Sequence, residues 1–116
     1  MKIYISGPIT GRPLSLCRAE FAEAASKIRK TGNEPVNPCL LQDILNPETT
    51  SWEQYMEAAL GLLRACDSIY FLPRWEKSKG CRAEYYEAMS GRKTIFYQLS
   101  EIPGGTEGTD GKNAKT

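Results

Sequence analysis

Two short runs of β-branched and aromatic residues, Lys2-Ile3-Tyr4-Ile5-Ser6 and Ser68-Ile69-Tyr70-Phe71-Leu72, each end at a proline-bearing turn, Gly7-Pro8 and Pro73. Runs this short and this apolar read as strands buried on both faces, the signature of a parallel sheet. A parallel sheet requires crossovers, and the intervening segments supply them. From Ser15 to about Lys30, Leu16, Ala19, Phe21, Ala24, Ala25 and Ile28 recur at helical spacing, with Ser15 as N-cap and Gly32 as C-cap. Ser51 is placed to cap a second helix running to about Ala65, whose Trp52, Tyr55, Met56, Ala59, Leu60, Leu62 and Leu63 form a broad apolar face. A third helix spans about Gly80 to Ser90 and stops at Gly91, followed by a last strand over Lys93 to Tyr97. Glu34 to Asn37 reads as a short strand, and Pro38 to Thr50, with two prolines and turn-forming Asn and Asp, as an irregular loop.

The pattern predicts one three-layer α/β/α domain over residues 1–99, a Rossmann- or flavodoxin-like parallel sheet of four to five strands with helices on both faces. Residues 100–116 are expected to be a disordered tail, because from Gly104 onward Ala114 is the only apolar residue and burial cannot offset ordering entropy. In such sheets ligands bind beyond the carboxyl ends of the strands, which brings Gly7–Arg12 and Pro73–Glu84 together.

Length and charge narrow the classes. A chain of 116 residues with 41% hydrophobic and 25% charged residues suits one globular domain. Fifteen basic against fourteen acidic side chains give a net charge of +1, without the basic excess of a nucleic-acid binder. Cys17, Cys39, Cys66 and Cys81 form no CxxC pair and histidine is absent, so no zinc or redox-dithiol spacing is present; neither metal nor cofactor is expected. Without a leader-like start or a long apolar run, a reduced cytoplasmic protein with no membrane partner is the expectation.

Chemistry concentrates after the second apolar strand. In Trp75-Glu76-Lys77-Ser78-Lys79-Gly80-Cys81-Arg82-Ala83-Glu84, a helix start offers free backbone N–H groups and a favourable dipole to an anion. Arg74, Lys77, Lys79 and Arg82 add positive charge there, and Ser78 can donate a hydrogen bond or simply cap the helix. Near the helix N-terminus, Glu84 is expected to stay ionised, either as a surface glutamate or as a nucleophile facing a sugar C1. Glu87, one turn on, is a weaker candidate. Trp75 is placed either to stack on a nucleobase or to cover the sheet edge, whereas Trp52, Tyr55, Tyr85 and Tyr86 read as core or subunit-interface residues.

The opening Ile3-Tyr4-Ile5-Ser6-Gly7-Pro8-Ile9, the Asn37-Pro38 pair, Cys66-Asp67-Ser68-Ile69-Tyr70-Phe71-Leu72-Pro73, and Trp75-Glu76-Lys77-Ser78-Lys79-Gly80 followed by Glu84 resemble the DUF4406 family of small bacterial and phage proteins. That family is in turn similar to nucleoside 2-deoxyribosyltransferases and 2'-deoxynucleoside 5'-monophosphate N-glycosidases. The resemblance covers about Met1 to Tyr97. It implies Glu84 as the residue attacking the deoxyribose C1, with Tyr4 beside it and Asp67 as a strand-start aspartate of the catalytic set. It also implies substrate contacts from Gly7, Pro8, Asn37, Trp75, Ser78 and Gly80. The aspartate that protonates the leaving base in the N-glycosidases has no counterpart, the region reading Glu57-Ala58-Ala59-Leu60; Glu57 is either a substitute acid or a solvated residue. Nor does the asparagine contributed by a neighbouring subunit in the transferases, since Asn113 falls in the predicted tail.

The expected activity is therefore hydrolysis or transfer at the N-glycosidic bond of a 2'-deoxynucleoside or its 5'-monophosphate, in a homodimer or higher homo-oligomer. A silent nucleotide-binding or sensing module, or a phage interaction protein using the fold as a scaffold, are the alternatives.

Overall fold

The computed structural model describes residues 1–104 of the chain. Four strands, β1 (Lys2–Ser6), β2 (Glu34–Val36), β3 (Ser68–Phe71) and β4 (Thr94–Phe96), form one all-parallel sheet in the order β2-β1-β3-β4. Tyr4 at the centre of β1 stands opposite Val36 on one side and Ile69 on the other. The crossovers run through α1 (Leu14–Lys30), α2 (Trp52–Arg64) and α3 (Lys79–Ser90). Because successive strand side chains point to opposite faces, the apolar runs feed two cores at once. Ile3, Ile5, Tyr70, Leu72 and Phe96 meet Phe21, Ala24 and Ile28 of α1; Tyr4, Ile69 and Phe71 meet Ala59 and Leu63 of α2 and Cys81 and Ala88 of α3. This is the expected α/β/α arrangement with a four-stranded sheet.

Several boundaries differ from the sequence reading, each for a local reason. Helix α1 starts at Leu14 after Pro13, and no side chain caps it; Ser15 lies inside the first turn instead of ahead of it. Proline presets φ and lacks an N–H that would otherwise need a partner, so it can open a helix without a capping hydroxyl. At the other end Thr31 is the cap, and Gly32 follows it with φ +87°, the left-handed conformation that glycine adopts at little steric cost. The predicted irregular loop contains a 3-10 helix, Pro38–Asp43, because the Asn37 side chain accepts from the Cys39 N–H and Pro38 occupies the first position. Ser51 does cap α2, in a reciprocal capping box with Gln54.

The chain continues to contribute beyond residue 99. Leu99–Glu101 form a 3-10 turn, Ile102 is buried in the α1-side core, and Asn33 Nδ2 donates to the Pro103 carbonyl at 2.7 Å. The tail expectation for the remaining positions lies outside the described residues.

Chain direction places the site. From β1 the connection leads out to β2 on one side, and the next strand, β3, returns to the other, so the order reverses between β1 and β3. A crevice opens there beyond their carboxyl ends. The loop after β1 is held against it by Arg12, which donates to the Pro8 carbonyl at 2.7 Å and to Glu20 at 2.8 Å.

Candidate active site

Helix α3 buries a stripe of Cys81, Glu84 and Ala88, spaced three and four residues apart. A charged residue on that stripe must face the sheet, and Glu84 is only 6% exposed. Its two oxygens are held separately. Ser6 Oγ donates to Oε1 at 2.6 Å, and the Tyr4 hydroxyl donates to Oε2. Tyr4 and Ser6 are two apart on β1 and so share a face, while Ser78 starts α3 with its hydroxyl accepting from the Cys81 N–H at 3.2 Å. The carboxyl group is thus fixed by the central strand and the third helix.

The expectation of a freely ionised Glu84 is corrected by this burial. Desolvation pushes the carboxyl up from an ordinary 4.5 to about 7, with the Ser6 and Tyr4 hydrogen bonds pulling the other way. The group sits six residues into the helix, beyond the first turn where the dipole acts most strongly. Tyr4 is pushed well above its usual range by burial and by the neighbouring carboxylate, so it remains a donor. Cys81 is likewise raised by burial and stays a thiol.

Glu84 borders a cavity of about 410 Å³. Gly7, Ser78 and Gly80 line it, together with Tyr55, Trp52 and Gln42. This volume lies within the range of roughly 300–1,000 Å³ found for small-molecule sites. The backbone comes close at Gly7, where an added Cβ would lie 2.5 Å from Leu72 Cδ1 and 3.1 Å from the Phe21 ring. A second cavity shares Ser78, Gly80 and Trp52 with the first and adds Pro8, Arg74, Lys77 and Lys79. Among the described residues no three His, Cys, Asp or Glu side chains gather as a metal site would require.

Tyr4, Gly7, Pro8, Ser78, Gly80 and Glu84 therefore converge around one crevice. Others do not. Asp67 lies at the opposite, amino-terminal edge of the sheet, where Oδ2 accepts from the Lys2 N–H at 2.7 Å; it ties β1 to β3 and does not line the cavity beside Glu84. Asn37 spends its side chain on the Cys39 N–H, and its neighbour Pro38 lines the cavity instead. Trp75 packs 4.4 Å from Phe71 and stacks on Tyr85 and Tyr97, covering the β3–β4 side of the sheet and lining neither cavity. Glu57 is exposed and absent from the cavity walls, and Glu87 pairs with Arg64 at 3.1 Å, joining α3 to α2. Arg82 is turned to the Glu76 carbonyl.

Three residues of the site went unread as such in the sequence: Ser6 against the Glu84 carboxyl, and Trp52 and Tyr55 in the cavity wall. Ser6 carried a signal, since it follows Tyr4 by two at the strand end. Trp52 and Tyr55 looked like core because they lie on the apolar face of α2; in the fold Tyr55 donates to the Pro38 carbonyl at 3.1 Å and Trp52 carries Lys79 Nζ 4.2 Å from its ring centroid.

Fold and crevice together define a single α/β domain with a buried, hydrogen-bonded carboxyl group at the switch point of a parallel sheet. The family is equally plain: residues 1–97 match the model of DUF4406, a domain of unknown function, and the chain belongs to that family. The fold is that of the nucleoside 2-deoxyribosyltransferases. The solved structure of a 2-desoxiribosyltransferase from Leishmania mexicana superimposes with a TM-score of 0.60 at 20% identity, covering 81% of this chain and 61% of that one. This chain thus spans less than two thirds of that neighbour's length. No curated protein matches significantly.

Proposed function

We propose that the protein breaks the N-glycosidic bond of a 2'-deoxynucleoside or its 5'-monophosphate, with Glu84 as the nucleophile. The observation that carries this reading is the Glu84 carboxyl group itself, buried at the edge of a ligand-sized cavity and gripped on both oxygens by Ser6 and Tyr4. A buried acid is costly to fold around, and a site beside an open cavity gives it a use. The likeness in fold to the Leishmania mexicana 2-desoxiribosyltransferase supports the same chemistry.

In the first step a Glu84 oxygen forms a bond to the sugar C1 while the C1–N bond breaks, its electron pair leaving with the base, which takes up a proton. In the second, water or another base attacks C1, the bond from C1 to Glu84 breaks to release the carboxylate, and the attacking group gives up a proton, returning the one taken up in the first step. Tyr4 and Ser6 orient the carboxylate and lower its proton affinity against the effect of burial.

One observation favours the reading of a silent nucleotide-binding module. Among the described residues, Glu84 is the only carboxylic acid in the walls of the cavity it borders, so no second acid stands there to protonate a leaving base. Base release from a panel of common deoxynucleosides and their 5'-monophosphates, followed by chromatography in wild type and Glu84→Gln, separates the two. Release that vanishes in the variant supports the enzyme. Nucleotide binding without release supports the module.

A further inference from the structure

The second cavity contains a charge arrangement that base cleavage leaves unused. Its volume is about 630 Å³, and its walls carry three cations, Arg74, Lys77 and Lys79, against one acid, Glu53. Among the described residues none of the three cations is within ion-pair distance of a carboxylate, whereas Arg12, Arg18, Lys27 and Arg64 each are. Lys79 is partly engaged over the Trp52 ring, and among the described residues Arg74 and Lys77 make no side-chain hydrogen bond. Arg74 also adopts φ +67°, an uncommon conformation for a side-chain-bearing residue that turns the chain directly after Pro73. Like charges are thus gathered between β3 and the first residue of α3, in a concave site with a single acid against them.

The two cavities meet at Ile9, Thr10, Trp52, Ser78 and Gly80. Resting on the reading above, a sugar with C1 at Glu84 and its 5' substituent directed to Ser78 and Gly80 would extend any further phosphates past this junction into the cationic groove. We propose that this groove binds the β- and γ-phosphates of a nucleoside 5'-di- or triphosphate, so that the ligand class extends beyond the monophosphate. Arg and Lys side chains are the usual partners of phosphate oxygens, and two or three cations outside any ion pair favour a multiply charged tail over a single phosphate.

The test is calorimetric affinity for deoxynucleoside mono-, di- and triphosphates with one base, at two salt concentrations. It uses wild type, Arg74→Gly/Lys77→Ala, and Arg29→Ala/Lys30→Ala as a control that removes two cations from α1. Glycine suits the backbone at position 74, so the groove variant keeps the loop. Wild type is expected to bind more tightly with each added phosphate, and more so at low salt; the groove variant loses about tenfold for the triphosphate and little for the monophosphate, and the control behaves as wild type. Equal affinity for mono- and triphosphate, or a gradient that persists in the groove variant, overturns the groove while leaving the Glu84 reading intact. Failure to bind any nucleotide, with no base release, overturns both.

Discussion

At the scale of single residues, the protonation of Glu84 governs both activity and stability. A nucleophilic carboxylate must be ionised, so base release should rise with pH about a midpoint near 7, following the raised Glu84 carboxyl. Tyr4→Phe removes a hydrogen bond to the charged form, worth about 1.5–3 kcal/mol, and should move that midpoint up by roughly one to two pH units. A pH–rate profile of the variant checks it, and an unmoved midpoint would separate Tyr4 from the titrating group. The stability effect has a defined sign. With the folded-state value near 7 and the ordinary value 4.5, the native protein holds its proton longer than the unfolded chain. Stability from this group is present at low pH and is lost as pH rises from 4.5 through 7, by about 3 kcal/mol at most. Glu84→Gln cannot ionise, so denaturant unfolding should find it gaining on wild type between about pH 5 and pH 8.

At the scale of elements, the same residue types do different work at the two ends of the sheet. Asp67 fastens the amino-terminal edges of β1 and β3 through the Lys2 N–H. Asp67→Ala should therefore cost about 1–3 kcal/mol in chemical denaturation and leave the chemical step unchanged. A large loss of turnover at full stability would return Asp67 to the catalytic set. Ser78 caps α3 and also borders both cavities, so Ser78→Ala should lose about 1 kcal/mol of stability as well as ligand affinity. Most elements were legible in the sequence, because their patterns are local: short continuous apolar runs for β1 and β3, a spacing of three to four for the helices. The 3-10 helix after Asn37 was not, since prolines and turn formers mark irregular chain without specifying which hydrogen bonds it closes. Trp75 shows the same limit, as no spacing tells a tryptophan after a strand whether to face the crevice or the aromatic cluster.

At the scale of the whole molecule, the described domain extends past the boundary read at residue 99. Ile102 seats on the α1-side core and Pro103 is tied to Asn33 across 70 positions of chain. Relative to ending the chain after Gly104, ending it after residue 99 removes the buried Ile102 side chain, worth about 1.5–3 kcal/mol, and uncovers the α1-side core beneath it, so the shorter chain should melt at a lower temperature. Thermal unfolding of the two truncations measures it. The four cysteines are all buried in these cores, which leaves them as packing residues.

By itself the sequence determined the parallel α/β architecture, the loops that border the crevice, and the placing of Ser78 and Gly80 at the start of the third helix with Glu84 a turn further on. These follow from patterns within one or two turns of chain. The tertiary structure alone decided which groups meet across long separations: that Ser6 and Tyr4 grip Glu84 from 78 and 80 residues away, that Trp52 and Tyr55 line a cavity while Trp75 does not, and that Asp67 sits at the far edge. Burial sets the Glu84 proton affinity, and burial is a property of all the elements packed around a residue, which no local pattern records.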